Sequence, residues 1–190
     1  MSRLHTLVHR PRRTLAALAT VLVAVGVTAA SGADFNATSA NPTNTFATGT
    51  LSISNTKANA AVLTISGMKP GDPAGTGQVD IGNSGTLSGA FTLTRGTPDD
   101  SDTSNPLSGK LNLTVVDCGA FVAGNPPACG DVDDVNRYTG TIAGMTTART
   151  LGTFAGGEKH RYEFSVSVDT SAGNAYQGDT SDVEFDWNAA

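Results

Sequence analysis

From about residue 50 onward, apolar and polar positions alternate in short runs. TLSISN places Leu51 and Ile53 on one side, and AVLTIS sets Val62 or Leu63 with Ile65. QVDIGN pairs Val79 with Ile81, and GAFTLTR pairs Phe91 with Leu93. KLNLTVV aligns Leu111, Leu113 and Val115. RYEFSVSVD is the longest run: Tyr162, Phe164, Val166 and Val168 alternate with Arg161, Glu163, Ser165, Ser167 and Asp169. DVEFDW closes the series with Val183, Phe185 and Trp187. A period of two predicts strands with one dry and one wet face, as in antiparallel sheets. Turn chemistry separates the runs: Pro70-Gly71-Asp72-Pro73, Asn83-Ser84-Gly85, Thr97-Pro98-Asp99-Asp100, Gly156-Gly157 and Ala172-Gly173-Asn174. MTTARTLG, from Met145, suits a short helix or a plain connection. Seven or so such strands in one unit predict an all-β fold, an antiparallel β-sandwich of jelly-roll-like type.

The first thirty residues break this pattern. Arg3, Arg10, Arg12 and Arg13 precede the apolar stretch 14–30, and Ser31-Gly32-Ala33 forms a small-x-small site. That order is that of a secretory signal helix, with cleavage expected between Ala33 and Asp34. A retained anchor is the alternative, but seventeen residues broken by threonines make a weak span. The expected organisation is a signal peptide over 1–33, an extended arm over 34–45 and one sandwich domain over 46–190. Membrane contact is expected only through the signal segment, and the chain is expected outside the cell.

Removal of the signal changes the charge. All seventeen Asp and Glu lie beyond it, with eight of the twelve Lys and Arg, so the net charge becomes −9. Such a surface repels phosphate backbones, which argues against nucleic acid as a partner. Cys118 and Cys129 flank a loop rich in Gly, Asn and Pro. In an oxidising compartment an even pair of this kind reads as a disulfide. An intermolecular bridge is the alternative, whereas zinc lacks further ligands nearby.

Candidate chemistry is sparse. His160 is the one histidine after the signal segment, and at the start of a strand it reads as a surface residue. No HExxH and no G-x-S-x-G occurs. The carboxylates Asp99, Asp100 and Asp102, and Asp131, Asp133 and Asp134, read as solvated acidic loops, with calcium as the alternative. Phe185 and Trp187 are expected in the core, and Tyr176 is expected to anchor a loop. No catalytic residue, metal ligand or cofactor is expected.

Four stretches together resemble the TasA/camelysin family of exported bacterial matrix and spore-coat-associated proteins. They are NTFATGTLSIS (44–54), MKPGD (68–72), GNSGTLSGAFTL (82–93) and NAYQGDTSDVEFDWNA (174–189), in that order. The junction at Ala33, followed by Asp34-Phe35-Asn36, is similar as well. The resemblance implies a jelly-roll subunit of extracellular fibres, in which the N-terminal segment of one copy completes a sheet in the next. Carried onto this chain, the donor lies in 34–45 and includes Asp34, Phe35, Asn36 and Ala37, and the domain begins near Phe46. The partner is then a second copy, with matrix or cell-wall components as further partners. A monomeric surface-binding module and a camelysin-like metallo-endopeptidase are the alternatives. The chain is shorter than the best-known fibre former and carries the Cys118/Cys129 pair, which is not associated with the type members.

Phe35 is the one large apolar residue of the arm, with Ala37 and Ser39 on its face. Pro42 cannot donate to a ladder, so pairing is expected to stop before it.

Overall fold

The computed structural model describes residues 48–122 and 124–190. Ala33, Asp34, Phe35, Asn36 and Ala37, and with them the signal and arm segments, lie outside the described residues. The described strands are β1 (Ile53–Asn55), β2 (Gly75–Asn83), β3 (Gly89–Arg95), β4 (Asp99–Asp100), β5 (Leu111–Phe121), β6 (Val135–Thr141), β7 (Arg149–Phe154), β8 (Lys159–Val168), β9 (Ser181–Asp182) and β10 (Phe185–Ala189). Two single 3-10 turns, Leu107–Gly109 and Asn174–Tyr176, are the helical elements among them.

Period-two alternation decides which way each strand faces. On β8, Tyr162, Phe164 and Val166 are buried while Arg161, Glu163 and Ser165 point to the other face. Val79 and Ile81 of β2, Phe91 and Leu93 of β3, and Leu113 and Val115 of β5 do the same. Each large side chain fully removed from water contributes about 1.5–3 kcal/mol. On the wet face the charges pair across strands. Arg161 grips Asp80 at 2.7 and 3.1 Å, and Gln78 donates to Glu163 at 2.8 Å.

The strands form an all-β sandwich of antiparallel sheets. One sheet has five strands in the order β1-β2-β8-β5-β6, and the other has three in the order β10-β3-β7. β4 and β9 form a separate two-stranded ribbon. The main sheets meet through aromatic side chains. Phe164 packs edge-on against Phe185 at 4.9 Å, and Tyr162 lies 5.1 Å from Trp187. Phe91 stacks on Phe154 at 4.2 Å. At one rim β6 lies nearest β7, and at the other β1 lies nearest β10.

Four features depart from the sequence expectation. Asp99–Asp100, read as part of a turn and an acidic loop, is strand β4, paired with β9. Residues 61–66 are not a strand, although AVLTIS alternates well. The stretch after Met145 is neither helix nor plain connection, because Arg149–Phe154 is β7. Its register against β3 shifts at Phe91/Thr92, with Leu151 as the extra residue and Gly152 at φ 121°. This bulge turns both Leu151 and Phe154 inward, three positions apart, which imitates a helical period. β6 was also not anticipated, since Tyr138 is its one buried side chain.

Candidate functional site

Among the described residues, two candidate sites stand out: the open rim beside β10, and an ion cluster where β5 meets β8.

The rim follows from hydrogen-bond parity. Ala190 and Ala90 exchange both backbone bonds, at 2.8 and 3.0 Å, and Gly96 donates to the Glu184 carbonyl at 2.9 Å. Even-numbered residues of β10 therefore bond to β3. Phe185, Trp187 and Ala189 turn their N–H and C=O groups the other way, and these find no backbone partner among the described residues. Their side chains are half-buried against the core. Among the described residues, β10 is thus an unpaired edge with an apolar inner face.

Residues 61–68 lie over the core-facing side of β2. Val62, Leu63, Ile65 and Met68 are half-buried and pack on the core. None of residues 61–68 makes a backbone hydrogen bond to any described residue. The floor beneath them is glycine. Gly75 and Gly77 share the core-facing parity of Val79 and Ile81. A Cβ at Gly77 would run into the Val62 carbonyl and the Leu63 side chain, and one at Gly75 into Ile65. At Gly77 only glycine lets the Val62 backbone lie this close.

The ion cluster also rests on parity. Asp117 continues the inward series Leu111, Leu113, Val115 on β5, and His160 precedes Tyr162 and Phe164 on the inward side of β8. His160 is therefore not the surface residue the sequence reading expected. Its side chain is 14% exposed, and its ring stacks on Phe154 at 4.2 Å. Nδ1 lies 2.9 Å from Asp117 and Nε2 lies 3.1 Å from Glu158. Asp117 also accepts from Arg137 at 2.8 Å and from the Gly119 N–H at 3.0 Å. Burial works to lower the His160 pKa, but the hydrogen bond and charge of Asp117, then Glu158, outweigh it and raise it. Burial likewise opposes ionisation of Asp117, yet bonds from His160 and Arg137 hold its carboxyl below the usual range. The protonated imidazole donates from both nitrogens. While Asp117 and Glu158 stay in place it has no free nitrogen to accept a proton or ligate a metal. The Tyr162 hydroxyl is buried nearby, and no partner among the described residues meets hydrogen-bond geometry with it.

Cys118 and Cys129 form an intrachain disulfide that closes the β5–β6 connection directly beside Asp117. The register of β5 against β8 shifts between Asp117 and Ala120, so Cys118 and Gly119 bulge out, with Gly119 at φ 110°. A cleft of about 350 Å³ lies between the end of β5 and the β7–β8 turn, with Glu158 as its charged lining residue.

The acidic side chains are held by nearby N–H and hydroxyl groups. Asp100 accepts from the Ser108 N–H and hydroxyl at 2.8 and 2.6 Å, Asp102 from the Ser104 N–H at 2.8 Å, and Asp134 from the Gly130 N–H at 2.6 Å. Among the described residues, no group of three or more His, Cys, Asp and Glu side chains is placed to hold a metal ion. The sequence reading set Glu158 and Tyr162 on the face of His160, but overlooked Asp117 and the glycine floor. Extending the alternation of β5 by one step marks Asp117, and the period-two glycines in GTGQVDIG mark the floor.

No protein-family model matches the chain, and a search of curated proteins finds no match.

Proposed function

We propose that this protein is a secreted structural subunit of a matrix-type extracellular fibre, assembled when the N-terminal segment of one copy adds as a strand to the sheet of another. The observation that carries this reading is the edge of β10, which is unpaired among the described residues. Phe185, Trp187 and Ala189 present ladder groups on the open side of a three-stranded sheet that faces a five-stranded one. An added strand gains main-chain bonds there, and its alternate side chains reach the core. Each bond nets about 0.5–1.5 kcal/mol, and a buried Phe35 adds about 1.5–3 kcal/mol.

The length fits as well. β10 spans five residues, and residues 34–41 supply eight before Pro42 interrupts the ladder. The resemblance to the TasA/camelysin family supports the same mode, together with the jelly-roll connection and export that it implies.

The test compares the chain starting at Asp34 with one starting at Phe46, by electron microscopy and sedimentation. The expected result is filaments from the first and folded monomers from the second. Monomers from both, at all concentrations, refute assembly and favour a monomeric surface-binding module.

A further inference from the structure

Residues 61–66 carry the sequence of a strand and do not form one. Val62, Leu63 and Ile65 face the core, while Ala61, Thr64 and Ser66 face solvent. Their backbone groups have no backbone partners among the described residues. Asn59 at φ 59° and Gly67 at φ 69° bracket the segment with two left-handed residues. Asn and Gly are the residue types that enter that region at least cost.

Register locates the segment relative to β10. Gly77 pairs with Phe164 and Gly75 with Val166. Phe164 in turn touches Phe185 at 4.9 Å and Trp187 at 6.2 Å. The segment therefore covers the core on the flank of Phe164 that lies toward β1 and the open edge of β10. It shields apolar surface with side chains but leaves the ladder groups of Phe185, Trp187 and Ala189 unused.

We infer that residues 61–66 are a displaceable strap, and that the surface beneath them, floored by Gly75 and Gly77 and walled by β10, receives residues 34–41 of a second copy. This rests on the strand-addition reading above and adds to it a gate. The strap contributes apolar contacts alone. An incoming strand contributes comparable contacts together with the ladder bonds that the strap does not make, so exchange is favourable once the strap lifts. Until then, the strap guards an edge that would otherwise pair without control. Asn59 and Gly67 are the hinges about which it swings.

The experiment uses the chain from Asp34 and a synthetic peptide of residues 34–45. Leu63→Cys places a single free thiol in the strap, since Cys118 and Cys129 are bonded to each other. Its rate of labelling by a maleimide is followed as peptide is added, and peptide binding is measured by calorimetry. The expected result is saturable binding with a rise in labelling rate of tenfold or more. Binding with an unchanged or slower rate overturns the strap and leaves strand addition standing. No binding overturns strand addition itself, and the strap with it. Ile65→Ala supplies a second measure, because it removes an apolar contact of the strap and leaves the floor of Gly75 and Gly77 unchanged. About tenfold tighter peptide binding is expected, whereas equal or weaker binding counts against displacement. If that variant does not fold, the labelling experiment decides alone.

Discussion

Asp117→Asn keeps the shape of the side chain and removes its charge. In the native protein Asp117 is 3% exposed and joins β5 to His160 on β8 and Arg137 on β6. The variant leaves His160 with Glu158 alone and Arg137 without its carboxylate. Removing one partner of a buried pair costs about 3–5 kcal/mol. Here His160 and Arg137 retain 14% and 22% exposure, so water offsets part of the loss. The expected destabilisation near pH 6 is about 2–3 kcal/mol. The dependence on pH has a definite sign. The His160 pKa is raised in the folded state, so its contribution is complete below about 6.5, the unfolded value, and is lost as pH rises through the folded one. The Asp117 pKa is lowered, so its contribution is complete above about 3.9 and is lost as pH falls through the folded value. The cluster thus contributes most between about pH 4 and 6.5, and its contribution falls as pH rises through the folded His160 value. In the Asn variant most of the decline above pH 6.5 disappears. Urea unfolding followed by circular dichroism at half-unit steps from pH 5 to 9 measures both effects. A loss below about 0.5 kcal/mol at pH 6, or equal slopes in the two proteins, would refute the cluster as a source of stability.

Replacing Cys118 and Cys129 together by serine opens a loop with a sequence separation of 11 and is expected to cost about 3 kcal/mol. Equilibrium unfolding with and without reductant checks this, and reductant should leave the double variant unaffected. Phe164→Ala removes the ring that Phe185 and Trp187 share and is expected to cost about 3–5 kcal/mol, read as a lowered Tm by calorimetry.

Strands with a clean dry face were legible in the sequence. β2, β3, β5, β8 and β10 all contain the alternation that marked them, because one buried face is enough to fix their register. β7 was hidden by the bulge at Leu151, which replaces a period of two by a spacing of three. β6 was hidden because an edge strand with Tyr138 alone buried needs no alternation. AVLTIS misled for the opposite reason. Its pattern records a real apolar face, but packing on a glycine floor uses that face without a ladder. For the candidate sites, residue type was a poor guide and position a better one. His160 is usual for a strand start by composition, yet its parity with Tyr162 and Phe164 puts it on the dry side, where a charge needs partners. Asp117 reads the same way after Val115. The disulfide was legible outright, since two cysteines flank one turn-rich loop.

The chain contains one tryptophan, and it sits on the open edge of β10. Indole emission shifts to the blue and brightens as water leaves the ring, so light from Trp187 monitors that rim and no other part of the molecule. A neighbour settling beside it would dry the indole, and loosening of the flank would wet it. Growth of the proposed polymer and its dissolution would then appear as opposite colour changes in unlabelled protein.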